Sequence, residues 1–127
     1  MDERLKKLRQ LSDMMLQVEL AKLHHVTAAE SRLAAQVLDL EETARRHGKE
    51  LAARGGYDTA IESVSDGRWA DWREKRTHLL NMKRATLRAS IEDQKDAARR
   101  AFGKTEALGG LAEKLREADR IKRLRQS

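Results

Sequence analysis

The side chains of this sequence that could do chemistry are four histidines and several neighbouring carboxylates. Two ligands on one helix must stand three or four positions apart to reach the same metal ion. His24 and His25 are adjacent, and neither has another histidine at that spacing. The carboxylates of Glu41–Glu42 and Glu92–Asp93 are also adjacent, so helical geometry turns them apart. Gly109-Gly110 lacks the Gly-Lys-Ser/Thr tail of a nucleotide loop. We therefore expect no metal site, no cofactor and no enzyme.

The composition favours long helices over an ordinary globular core. Charged residues make up 38% of the 127 positions and aromatic residues 3%, and there is no proline or cysteine. Such a composition is typical of coiled coils, and the missing proline leaves long helices unbroken. No segment has the length and apolarity of a membrane span or a signal peptide. We expect a cytoplasmic protein that is not inserted in a membrane.

Apolar residues recur in heptads in both halves of the sequence, which predicts a long antiparallel two-helix coiled-coil hairpin, all-α. The two ladders match when residue numbers sum to 120. That register predicts the pairs Leu5–Leu115, Leu8–Ala112, Met15–Thr105, Ala29–Ile91, Leu33–Leu87 and Leu51–Trp69. In the first helix the predicted seam includes Lys22 and takes two successive steps of four at Ala29–Leu33–Val37, a stutter.

Glycines and caps set the predicted boundaries. We expect one unit over 1–127, with a helix over 3–54, a hinge over 55–67 and a helix over 68–124. Gly55-Gly56 predicts the stop of the first helix, and Thr59 with Glu62 has the spacing of a capping box. Ser65-Asp66-Gly67 predicts a second break. The glycines at 103, 109 and 110 predict either a close approach of the second helix to Leu8 and Leu11 or a flexible joint near the termini.

Charge and aromatic residues are unevenly distributed. Arg68–Lys104 holds 11 of the basic and 5 of the acidic residues, and this excess equals the whole net charge of +6. Tyr57, Trp69 and Trp72 stand within sixteen positions around the hinge. They predict either closure of the hairpin end, with Trp72 extending the face of Trp69, or an anchor for a partner protein.

The segment Ser65-Asp66-Gly67-Arg68-Trp69-Ala70-Asp71-Trp72 resembles the entry to the second arm in the flagellar export protein FliJ family. The run from Arg99 to Leu115 is similar to that family's charged, leucine-punctuated ending. The type III secretion stalk proteins of the YscO kind share this plan. The resemblance implies a non-enzymatic stalk and chaperone-escort protein of an export apparatus. It would work in the cytoplasm, peripheral to the inner membrane, and stimulate a hexameric export ATPase.

The resemblance also implies partner surfaces. The paired ends of the hairpin would enter the ATPase ring, and further partners would be the export gate protein FlhA and export chaperones. The ATPase tip would comprise Arg4, Lys6, Lys7, Arg9, Arg120, Lys122, Arg123 and Arg125. The hinge and gate surface would comprise Leu40, Ala44, His47, Leu51, Trp69, Trp72, Lys75, Leu79, Met82 and Thr86.

Two alternatives remain at this stage. One is a generic coiled-coil adaptor, which could dimerise into a four-helix bundle. The other is a basic nucleic-acid-binding helical protein. Nucleic acid is not expected as a partner, because acidic residues interrupt the basic stripe and no dimer fork presents it to a groove.

Overall fold

The structure, a computed structural model, describes residues 3–127 of the chain. Two helices make up nearly all of it, α1 over Glu3–Arg54 and α2 over Ala60–Gln126, and residues 3–127 contain no strand. The predicted all-α helical hairpin is confirmed. The predicted bounds of the first helix, 3–54, match those of α1.

The turn between the helices is shorter than predicted. Gly55 and Gly56 have φ angles of 80° and 116°, and their N–H groups donate to the carbonyls of Ala52 and Leu51. This pair of bonds is a Schellman motif, which a non-glycine residue at Gly55 would strain. The backbone N–H of Glu62 donates to Oγ1 of Thr59 at 3.0 Å, so the predicted cap is present.

The predicted start of the second helix at 68 is wrong, because α2 begins at Ala60 and runs through Ser65-Asp66-Gly67. An interior glycine costs a helix only about 1 kcal/mol. Here the cap at Thr59 opens the helix, and the contacts of Asp66 across unit 2 hold this stretch in it. The far end, Gln126 instead of 124, differs by no more than the fraying of a helix terminus.

The chain divides into two compact units, each built from a segment of α1 and a segment of α2. Unit 1 contains the residues up to His25 together with Ile91–Ser127, and unit 2 contains Val26–Ser90. The sequence had predicted one unit over 1–127.

In unit 1, the register of the two helices differs from the prediction by about one helical turn. Oγ of Ser12 lies 2.9 Å from Oγ1 of Thr105, so these two residues, whose numbers sum to 117, face each other. Leu5 and Ala112 are buried and share this sum. Leu115, the predicted partner of Leu5, is 40% exposed. The register with a sum of 120 is therefore wrong in this unit.

The predicted seam of α1 in unit 1 is also wrong at alternate positions. Leu8, Met15 and Lys22 are exposed, and their neighbours Arg9, Leu16 and Leu23 are half-buried instead. Glu19, which belongs to both the predicted and the observed seam, has a polar partner on α2. Nε2 of Gln94 donates to the carbonyl oxygen of Glu19 at 3.2 Å and also to its carboxylate, so the half-buried polar residues satisfy each other.

Unit 2 has a small apolar core and a partly buried ion pair between α1 and α2. Val37 and Leu80 are its buried hydrophobic residues, and their numbers also sum to 117. Nε of Arg84 donates to Oε1 of Glu30 at 2.9 Å, and Arg88 approaches the same oxygen at 3.4 Å. The carboxylate of Glu30 thus faces α2 from the position that the prediction gave to Ala29.

The heptads of α1 continue through unit 2 without the predicted stutter. The buried and half-buried residues on the side that faces α2 follow steps of three and four throughout: Glu30, Leu33, Val37, Leu40, Ala44, His47 and Leu51. The stutter was an artefact of starting the seam on the wrong face of α1. Once Glu30 replaces Ala29, the spacing is regular.

The glycines inside the helices do not mark close contacts. A Cβ atom at Gly103, Gly109 or Gly110 would meet no heavy atom within 4 Å beyond the backbone of its own stretch of helix. The predicted close approach to Leu8 and Leu11 is therefore wrong. Gly48 in α1 is equally open.

Candidate functional site

A cluster of aromatic and charged side chains lies beside the turn in unit 2. The phenol of Tyr57 donates to Oδ2 of Asp66 at 2.5 Å. Nε2 of His47 lies 2.5 Å from Oδ1 of the same carboxylate, and the two form an ion pair when the imidazole is protonated. The His47 and Trp69 rings meet edge to face, 6.3 Å apart and at 61°. The carboxylate of Asp66 thus connects the turn to α1.

Arg73 completes this cluster from the next turn of α2. Its guanidinium carbon lies 5.6 Å from the centre of the Trp69 ring, within cation–π distance. Its Nε atom is buried and has no hydrogen-bond partner in the part of the chain that the structure describes. His47 and Arg73 therefore both lie against the half-buried Trp69 ring, and the predicted pair Leu51–Trp69 stays a prediction.

Hydrogen bonding sets the protonation behaviour of the cluster. The hydrogen bond from Tyr57 lowers the pKa of Asp66 below its ordinary 3.8, with the charge of His47 adding to the effect and burial opposing it. The same hydrogen bond raises the pKa of Tyr57 above 10.0, because the phenol stays protonated while it donates to a carboxylate. Both shifts favour Asp66 as an anion and Tyr57 as a neutral donor.

An ion pair and a cap hold the turn on its other side. Arg54 pairs with Glu62, and this contact raises the pKa of the Arg54 guanidinium. The Arg54 guanidinium also lies 3.7 Å from the carboxylate of Asp58. These contacts connect the last turn of α1 to the first turn of α2. They therefore hold the turn that lies beside the cluster around Asp66.

The predicted hinge and gate residues lie on two different faces. Leu40, Ala44, His47 and Leu51 are half-buried on the side of α1 that faces α2, so helix packing occupies them. Apart from the half-buried Trp69, the α2 members follow steps of three and four on one exposed face: Trp72, Lys75, Leu79, Met82 and Thr86. We call these five residues the Trp72 stripe. Trp72 is 53% exposed, so it does not extend the covered face of Trp69 as predicted.

The predicted basic tip belongs to unit 1, and most of its residues are exposed. Arg4, Lys6 and Lys7 are exposed on α1, while Arg9 is half-buried on the side facing α2. The α2 members lie in 113–127, where every residue is exposed. Since Leu5 is level with Ala112, the structure does not bring the basic residues of 120–125 beside those of 4–9. The tip is thus two separate basic surfaces.

An open apolar groove between the two helices of unit 1 was missed by the sequence reasoning. It has a volume of about 530 Å³. Its floor contains Leu8, Leu11 and Met15 of α1 with Ala101 and Leu108 of α2, and Arg100 and Lys104 stand at its edge. We call it the unit 1 groove. The missed signal was a second apolar stripe on α1, since Leu8 and Met15 had been placed in the seam.

Residues 3–127 contain no group of three or more histidine, cysteine or acidic side chains that could hold a metal ion. Within the same range, no helix combines the length and apolarity needed to cross a membrane.

Comparisons with protein-family models, curated proteins and solved structures give no match to this chain.

Proposed function

We propose that this chain is a non-enzymatic stalk protein of a type III export apparatus, flagellar or related, that binds and stimulates a hexameric ATPase. The observation that supports the proposal best is the end of α2. All residues of 113–127 are exposed, although apolar side chains recur there every third position as Leu115, Ala118, Ile121 and Leu124. An exposed helical segment of this kind is suited to contact a partner protein.

The charges of this segment also support contact with a partner protein. Arg116 and Arg120 pair with the glutamates three positions before them, Glu113 and Glu117. Lys122, Arg123 and Arg125 make no ion pair among residues 3–127 and leave a basic end on an apolar stripe. Basic groups on such a surface speed association with an acidic partner more than they strengthen it, as suits a contact made and released repeatedly.

The Trp72 stripe is the surface we propose for the export gate protein, and the same protein would escort export chaperones. A single exposed face with Trp72, Leu79 and Met82 provides an aromatic anchor and two flexible apolar side chains. The predicted gate residues on α1 are half-buried and would act only by supporting α2: Leu40, Ala44, His47 and Leu51. The protein would then work in the cytoplasm, peripheral to the inner-membrane export apparatus.

The test is an ATPase assay with the cognate export ATPase, together with light scattering to detect ring assembly. We expect the wild-type chain to raise hydrolysis and assembly. The variant K122E/R123E/R125E should lose this stimulation. A matched control, R32E/R46E/K49E, makes the same charge change on exposed residues of α1 and should retain it. Absence of stimulation and of a complex at low salt would refute the stalk function.

The unit 1 groove favours a second candidate, a coiled-coil adaptor that binds other helices. An adaptor would show no effect on the ATPase and would still bind a helical partner. Light scattering after size exclusion separates one form of this candidate, a self-associated four-helix bundle, from a monomeric adaptor.

A further inference from the structure

The unit 1 groove leaves large apolar side chains uncovered. Leu8 is 52% exposed, Leu11 is 53% exposed and Met15 is 51% exposed, although they stand beside the packed seam. Their spacing of three and four positions places them along one line of α1. A line of this kind is what a third helix packs against when it lies in the groove between two others.

The other wall of the groove provides a shallow surface for such a helix. Ala101 and Leu108 belong to α2, and small side chains at Ala97 and Ala107 also line the groove. Alanines leave room for the side chains of an incoming helix, while Leu8, Leu11, Met15 and Leu108 supply the apolar contact area. The groove therefore fits a helix with an apolar stripe.

The edge of the groove carries positive charge that the chain itself does not neutralise. Arg100 and Lys104 are exposed and have no ion pair with any residue that the structure describes. By contrast, Arg99, next to Arg100, pairs with Asp96 at 2.7 Å. The one acid in the groove, Glu19, is already bonded to Gln94 and lies 3.5 Å from Lys22.

From this combination we infer that the unit 1 groove binds an acidic amphipathic helix of a partner protein. Leucine or similar side chains of that helix would contact Leu8, Leu11 and Met15, and its flanking carboxylates would pair with Arg100 and Lys104. Lys7 lies at the neighbouring surface beside Leu8 and Leu11 and extends the basic edge. Charge complementarity fixes the orientation and selects acidic helices over basic ones.

A second copy of this chain is a poorer occupant than an acidic helix. Each copy has a net charge of +6 and would bring the same basic edge to the contact. Like charges placed together at an interface disfavour association. The inference does not depend on the stalk function, because it concerns another surface and its test does not use the ATPase.

The test uses two fluorescent peptides and the full-length chain. Both peptides are helices of about 18 residues, roughly 27 Å long, with the same leucine stripe; one carries glutamates beside the stripe and the other carries lysines. Fluorescence anisotropy at low salt should show the glutamate peptide binding at least about tenfold more tightly than the lysine peptide. Raising the salt concentration should weaken that binding, because the carboxylates meet exposed cations.

Two variants locate the binding site. L11E/M15E should reduce binding of the glutamate peptide by about tenfold or more, since charges replace the apolar contacts. Both side chains are about half exposed, so folding should persist, as circular dichroism would confirm. The matched control L38E/V64E changes two similarly exposed residues of unit 2 outside the Trp72 stripe and should leave binding unchanged. R100E/K104E should reverse the preference and favour the lysine peptide.

Three outcomes would overturn the inference. The first is equal binding of the two peptides, and the second is no binding of either. The third is a dimer, detected by light scattering, that the L11E/M15E substitutions dissociate but the glutamate peptide does not. A second copy of the chain would then occupy the groove. The ATPase result with K122E/R123E/R125E tests the stalk function alone and leaves this inference unaffected.

Discussion

Ser12 and Thr105 face each other across the two helices of unit 1, with their hydroxyl oxygens 2.9 Å apart. Thr105 also donates to the carbonyl of Ala101 at 3.2 Å. A hydroxyl has one hydrogen to donate, so Ser12 is the donor between the two hydroxyls. This contact defines the register of unit 1, because it shows which residues of the two helices stand opposite each other.

Engineered disulfides can test this register, since the chain contains no cysteine. We expect S12C/T105C to close an intramolecular disulfide under mild oxidation, because the two side chains are already in contact. The control M15C/T105C belongs to the register with a sum of 120 and should close slowly or not at all. Non-reducing gels and mass spectrometry would measure both. Faster closure of the control would contradict the structure.

The ion pair between Arg84 and Glu30 should contribute more to stability than that between Arg88 and Glu30. The Arg84 side chain is 20% exposed and that of Arg88 is 64% exposed, while Glu30 is 17% exposed. Replacing Arg84 by methionine removes the better-shielded partner and should cost about 1–3 kcal/mol. The same change at Arg88 should cost about 0.5 kcal/mol or less.

Urea denaturation measures both variants. Equal losses of stability would show that Glu30 does not distinguish the two arginines. If Arg88 takes over the carboxylate when Arg84 is removed, R84M/R88M should lose more stability than the sum of the two single losses.

Acid should weaken the cluster beside the turn through Asp66. Its pKa is lower in the folded chain than the ordinary 3.8, so its contribution is fully present above that value. The contribution is lost as the pH falls through the folded-state pKa. Y57F removes the main cause of the shift and should move the pKa of Asp66 back toward 3.8, which an NMR titration of its carboxyl carbon would detect.

The thermal stability of two further variants isolates this effect. D66N should flatten the fall in melting temperature below about pH 4. D71N changes an exposed acid of the same unit and should retain the wild-type profile. Identical profiles for wild type and D66N would argue against the hydrogen bond from Tyr57 as a source of acid sensitivity.

Two glycine-to-alanine substitutions should have opposite effects. G48A lies inside α1 with open space around the new Cβ, so it should stabilise the chain by roughly 0.5–1 kcal/mol. G55A forces alanine into a φ of 80° and should destabilise it by about 1–2 kcal/mol. Melting temperatures of the two variants would check the signs, and a stabilising G55A would contradict the Schellman turn.

Sequence reasoning predicted the two helices and the end of α1, but neither the start of α2 nor the alignment of the helices. The all-α hairpin, the bounds of α1, the stop at Gly55-Gly56 and the cap at Thr59 depend on local signals, and all are confirmed. Sliding one helix by a turn, however, leaves most apolar positions matched. The choice depends on polar partners such as Ser12 with Thr105, which periodicity alone does not rank.

The site was harder to predict for a related reason. α1 carries apolar residues on both sides of its true seam, so Leu8 and Met15 compete with Leu16 and Leu23 for burial. Choosing the wrong side concealed the unit 1 groove and introduced a stutter. The cluster around Asp66 depends on contacts between the turn and α1, whereas the local signal of Ser65-Asp66-Gly67 predicts a break in the helix. The proposed partners stay predictions.

The open glycines of α2 have a consequence for amide hydrogen exchange. Gly103, Gly109 and Gly110 together lower the helix propensity of this stretch by about 3 kcal/mol relative to alanine. Stretches with weak propensity and few buried contacts open first in native-state exchange. The amides of 103–110 should therefore exchange sooner than those around Ala98. The α2 side of the unit 1 groove is therefore the side that can move, and its movement would fit the width of the groove to the bound helix.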